Sequence, residues 1–83
     1  DQQWTLGSQS IASLGTYVLP RGTYQFYREN PAKNAIHLEV KDASTWYWGG
    51  VVILLGTVVS DGTNMRLSNT SDSSITVYWR KKP

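Results

Sequence analysis

The sequence has no cysteine and only one histidine, His37. The first absence excludes disulfides and thiolate metal sites; the second leaves a zinc centre within one chain short of ligands, so no metal or cofactor is expected. Charge is also scarce. Eight Lys and Arg against six Asp and Glu leave a net charge of +2 over 83 residues. A nucleic-acid binder needs a stripe of cations neutralising several phosphates, so no such partner is expected, although Arg80, Lys81 and Lys82 cluster near the carboxyl end. Long apolar runs are missing too. The longest, Val51 to Leu55 followed by Gly56 to Val59, is about half of what a bilayer span requires, and no membrane insertion is expected.

Helical periodicity is the last absence. Seven glycines and three prolines interrupt the chain, and no window holds apolar residues at helical spacing for more than a turn or so. The abundant residues are Thr, Val, Ser, Tyr and Trp, which suit a pleated, half-buried surface. Period-two alternation marks four strands with one wet face. Tyr24 and Phe26 face one way within Thr23–Tyr27; Ile36, Leu38 and Val40 do so within Ala35–Lys41. Met65 and Leu67 do so within Asn64–Ser68, and Ile75, Val77 and Trp79 within Ser74–Arg80. These residues form the expected core, with Val52, Ile53 and Leu54 from the run Val51–Leu55. That run is apolar on both faces and reads as a central strand covered on both sides. Gln3–Leu6 and Thr16–Leu19 are two further short strands.

The turns are legible as well. Pro20-Arg21-Gly22 pairs a fixed φ with a permissive residue, and Asp61-Gly62 reads as a hairpin joining Thr57–Ser60 to Asn64–Ser68. Asn69–Ser73 is small and polar, and Glu29–Asn34, with Asn30-Pro31, is the longest irregular stretch. Seven or eight short strands in one domain over residues 1–83 imply a small antiparallel β-sandwich or jelly-roll-like barrel. A chain of this length buries only about 60–65% of its unfolded surface, so self-association is an expected supplement to its stability.

No catalytic constellation emerges, and no enzyme activity is expected. His37 and Asp42 could join a serine, yet no serine sits in a nucleophile elbow, and His37 lies on the polar face of its strand. Glu39 and Asp42 are close in sequence, with Glu29, Asp61 and Asp72 in or beside loops, where Asp serves local backbone groups. Asp61-Gly62-Thr63-Asn64 lacks the alternating acidic ligands of a calcium loop. Asn69-Thr70-Ser71 matches the glycosylation acceptor pattern, which matters only in a eukaryotic secretory pathway.

Aromatics carry the strongest hint of function. Four Trp and five Tyr are many for this length, and Trp46-Tyr47-Trp48 places three together. On a strand Trp46 and Trp48 share one side and Tyr47 takes the other. They can complete a core, build a subunit interface or stack on sugar rings; with Tyr78 they form the candidate interface or ligand platform.

Gly15-Thr16-Tyr17-Val18-Leu19-Pro20-Arg21-Gly22-Thr23-Tyr24 resembles a phrase found in small β-modules of tailed-bacteriophage fibres, spikes and head-surface decoration proteins. Val59-Ser60-Asp61-Gly62-Thr63-Asn64-Met65-Arg66-Leu67, followed by Ser74-Ile75-Thr76-Val77-Tyr78-Trp79, is similar to the carboxyl ending of those modules. The resemblance covers about half the chain; the segment from Asn30 to Gly50 matches no such phrase. It implies a non-enzymatic structural module on the virion surface, often a homotrimer, with other virion proteins as partners. A carbohydrate-binding module using the Trp/Tyr platform on a host-surface glycan is the alternative.

Overall fold

The computed structural model describes residues 3–27, 33–52 and 55–83. Among them are eight strands: β1 (Thr5–Ile11), β2 (Thr16–Val18), β3 (Gly22–Phe26), β4 (Ile36–Asp42), β5 (Thr45–Val51), β6 (Thr57–Ser60), β7 (Met65–Asn69) and β8 (Ile75–Lys82). One turn of 3-10 helix, Lys33–Ala35, precedes β4. The strands form two antiparallel four-stranded sheets, ordered β1-β8-β3-β6 and β2-β7-β4-β5. Pairing couples β1 with β8, β2 with β7, β3 with β6 and β4 with β5, as in a long hairpin rolled up on itself. That is the connectivity of a jelly roll, here a small β-sandwich.

The core lies between the sheets, and alternation decides what enters it. β3 buries Gly22, Tyr24 and Phe26, β8 buries Ile75, Val77 and Trp79, and β4 buries Ile36 and Leu38. Trp79 is the hub. Its ring meets Tyr24 and Phe26 edge-on at centroid distances of 5.7 and 6.1 Å and stacks on Tyr17 at 6.2 Å. Gly7, its cross-strand neighbour, makes room: a Cβ there would lie 2.5 Å from the indole nitrogen. Val40 and Met65, expected in the core, are only half-buried, because both sit near the open end of the sandwich and line a shallow cavity there.

Several sequence-based expectations change. Val51–Leu55 does not form a central strand. β5 is an edge strand that ends at Val51, after a bulge where Gly49 interrupts the pairing with β4. The chain then crosses to the other sheet, with Val52 fully buried and Leu55 packed against the core. Val52 and Leu55 therefore pack into the core outside any strand. Ile53 and Leu54, expected in the core, and Glu29, Asn30, Pro31 and Ala32 of the expected loop lie outside the described residues.

Asp61-Gly62 is not a hairpin either, because β6 and β7 belong to opposite sheets. The turn chemistry is nonetheless present: Gly62 has φ 94°, and the Asp61 carboxylate accepts from the Thr63 and Asn64 backbone amides at 2.9 Å each. Pro20-Arg21-Gly22 likewise turns the chain between sheets, from β2 to β3. The first strand runs Thr5–Ile11, well past the expected Gln3–Leu6, and Leu19 lies buried beyond the end of β2.

Two buried polar side chains hold the sheet-to-sheet corners. Ser60 donates to the Leu19 carbonyl at 2.9 Å and accepts from the Gly62 amide at 3.1 Å. Asn69, expected as the first residue of the small polar turn Asn69–Ser73, ends β7 and is buried, and the turn follows it. Its amide nitrogen donates to the carbonyls of Ile11 and Ser73, both at 2.9 Å, and its oxygen accepts from the amide and hydroxyl of Ser71. Full satisfaction makes burial of this amide tolerable.

Candidate functional site

With the core accounted for, functional groups remain on the two outer faces and at the ends of the sandwich. The outer face of the second sheet follows from register. Lys41 pairs with Trp46, Val40 with Tyr47 and Glu39 with Trp48, so both tryptophans point outward and Tyr47 lies on the inward side at the rim. Trp46 is half-buried because Arg66 of β7 lays its guanidinium over the ring, 4.2 Å from the centroid, with the Lys41 ammonium at 5.9 Å. Arg66 Nε in turn donates to Glu39 Oε1 at 2.6 Å. The guanidinium is thus stacked and neutralised at once.

Trp48 and Tyr47 remain uncovered. They are 67% and 56% exposed, on an edge strand whose far side pairs with nothing among the described residues. His37 touches Trp48 edge-on at 6.2 Å and is otherwise an outward residue of β4. β5 carries no Lys, Glu or Pro, the residues that commonly blunt a free edge.

Tyr78, the fourth member of the expected platform, is on the other side of the molecule. It projects from β8 on the outer face of the first sheet, opposite Ser8. Sequence alone could not show that the rings divide between sheets.

That first-sheet face holds a group the sequence reading missed. Trp4, just before β1, lies beneath two cations of β8: Arg80 at 4.5 Å and Lys82 at 4.8 Å from the ring centroid. Arg80 Nε donates to Gln25 Oε1 at 2.8 Å, and Gln25 Nε2 donates to Thr57 Oγ1 at 3.0 Å. The face also carries Tyr78 with the exposed Tyr27 beside it and hydroxyls from Thr23, Thr76, Ser8 and Ser10, with Leu6 and Val59 exposed at opposite edges.

Two open cavities lie near Arg21. The larger, about 580 Å³, is lined by Arg21, Lys41, Asp61, Asn64 and Met65 among others. Its one carboxylate, Asp61, is occupied by the turn: the Thr63 and Asn64 amides, then the Asn64 side chain, hold its pKa down at about 2. It is poorly suited to proton transfer near neutrality. The smaller, about 340 Å³, brings Arg21, Lys81 and Lys82 together beside Thr5 and Pro83. Asp42 lies at the β4–β5 hairpin and Asp72 in the link from β7 to β8. No group of three or more His, Asp or Glu side chains placed to hold a metal ion occurs among the described residues.

The chain matches no protein-family model, and no curated protein or solved structure shows a significant similarity to it.

Proposed function

We propose that this chain is a non-enzymatic assembly module that works by having its β5 edge covered by a protein partner, first of all by further copies of itself. The single observation carrying this reading is the exposure of Trp48 and Tyr47 on an uncharged edge strand. Exposed rings beside unpaired strand groups favour association through main-chain pairing and ring burial. The other long edge strand, β1, also lacks charge, but it turns Leu6, Ser8 and Ser10 outward, one apolar side chain where β5 exposes two rings.

The resemblance of Gly15–Tyr24 and of the stretches from Val59 and Ser74 to phage-surface phrases supports a finer reading: a structural module on a tailed-phage virion, assembled as a homotrimer. Sugar stacking on the same platform is the weaker reading, because Arg66 already covers Trp46 and leaves Trp48 as the one open tryptophan of the pair.

Sedimentation across a dilution series tests the proposal. The expected result is an oligomer at micromolar concentration that Trp48→Ala converts to a folded monomer. A wild-type chain sedimenting as a monomer of 9.3 kDa throughout would refute it.

A further inference from the structure

Arg80 is built like Arg66 but left charged. Both guanidiniums lie over a tryptophan, at 4.5 Å on Trp4 and 4.2 Å on Trp46, and both donate through Nε to a side-chain oxygen on a neighbouring strand. For Arg66 the acceptor is the Glu39 carboxylate; for Arg80 it is the uncharged Gln25 amide. Gln25 and Trp4 therefore fix the orientation of Arg80 without cancelling its charge, which leaves its terminal nitrogens to donate outward. Lys82 shares the Trp4 ring, and Arg21 and Lys81 meet Lys82 at the adjoining cavity. No ion pair joins these four cations to a carboxylate among the described residues.

We propose that the outer face of the first sheet, around Arg80 and Lys82, binds an acidic polysaccharide: Arg80 takes a carboxylate or sulfate, and the surrounding hydroxyls and amide bond to sugar hydroxyls. Charge complementarity sets the sign of the ligand. The floor of the face sets its class, since Thr23, Gln25 and Thr57 lie beside the cations and Tyr78 and Thr76 follow along β8. A lipid-inserting face would gather its apolar residues, whereas Leu6 and Val59 lie on the two edge strands of the sheet. Single-stranded nucleic acid needs a basic groove that tracks successive phosphates, whereas these four cations gather at one end of the sheet; the rings further along, Tyr78 and the exposed Tyr27, can stack on sugars as well as on bases. This face is remote from the β5 edge in the strand order, and the inference does not depend on assembly there.

Calorimetric titration with polygalacturonate and dextran sulfate tests it, with uncharged dextran, single-stranded DNA and phosphatidylserine vesicles as competing probes. The expected result is salt-sensitive binding to the two acidic polysaccharides, none to dextran, and weaker binding to DNA and vesicles. Gln25→Glu, which recreates the neutralised arrangement of Arg66, should weaken that binding roughly tenfold, and Arg80→Gln by a similar factor. Unchanged binding in both variants, no binding to either acidic polysaccharide, equal binding to dextran, or tighter binding to DNA or vesicles would overturn the proposal. Should Gln25→Glu fold poorly, Arg80→Gln and Lys82→Gln carry the test.

Discussion

The two outer faces of this sandwich use one device to opposite ends. On the second sheet, Trp46, Arg66 and Glu39 form a stacked and neutralised group beside the exposed rings of the β5 edge, with Lys41 further off at 5.9 Å from the Trp46 ring. On the first sheet, Trp4, Arg80 and Gln25 form the same stack with an uncharged acceptor, and Lys82 adds a second cation. One acceptor differs in charge. A neutralised face loses little when a protein surface covers it, whereas a face that keeps its cations resists burial without a counter-charge. The chain's small net positive charge is thus unevenly spread, and its distribution says more than its total.

The comparison presumes a single core that holds both faces in register, and Trp79→Ala breaks that presumption hardest. Losing the hub shared by Tyr17, Tyr24 and Phe26 should cost about 3–5 kcal/mol. A domain of this size has about 4–12 kcal/mol in total, so urea denaturation should show the variant losing at least about a quarter of its stability. Asn69→Ala comes next. It strands the Ile11 and Ser73 carbonyls and opens the corner between the sheets, at about 2–3 kcal/mol by the same measurement.

Smaller changes sharpen the contrast. Ala43 and Ser44, which turn β4 into β5, both have positive φ, 51° and 73°, without being glycine. Ala43→Asn combined with Ser44→Gly suits such a turn better and should stabilise the fold by about 1 kcal/mol, read as a rise in Tm, with both faces unchanged. Glu39→Gln on the second face is the mirror of Gln25→Glu on the first. It should alter stability by less than about 1 kcal/mol, since the pair is partly exposed, yet confer weak binding to dextran sulfate where Arg66 was silent.

The smallest effect is confined to acid. The folded-state pKa of Asp61 lies at about 2 against an ordinary value of 3.8, so its contribution is full above the ordinary value and is lost as the pH falls through about 2. Asp61→Asn should flatten that part of the stability profile and leave the neutral region almost unchanged. At the alkaline end, burial, and secondarily Tyr17, push the Tyr24 hydroxyl up to about 12. Its share is present below the ordinary value of 10.0 and lost as the pH rises through about 12.

What the sequence reveals follows from where hydrophobicity alternates. β3, β4, β7 and β8 were readable because each sets apolar residues against a wet face. Most of β1 was not, because Gly7, Ser8, Gln9 and Ser10 carry no contrast; Gly7 is there for the ring of Trp79. Asp61-Gly62 and Pro20-Arg21-Gly22 announce bends but not destinations, and in this fold both bends change sheets. The run Val51–Leu55 signalled burial correctly for Val52, but an apolar run does not distinguish a central strand from a segment that packs into the core outside any strand. The Trp46–Trp48 platform was legible as residues. The Trp4–Arg80–Gln25 group was not, because its members lie far apart in the chain and meet only through the β1-β8-β3 order.

Nuclear magnetic resonance of the isotope-labelled chain over a hundredfold concentration range tests most directly whether the β5 rim is the part made to be covered. Concentration-dependent shifts should gather at Thr45–Val51 and the indole of Trp48, leaving Trp4, Gln25 and Arg80 unmoved. Shifts centred on the first sheet, or none anywhere, would contradict that assignment.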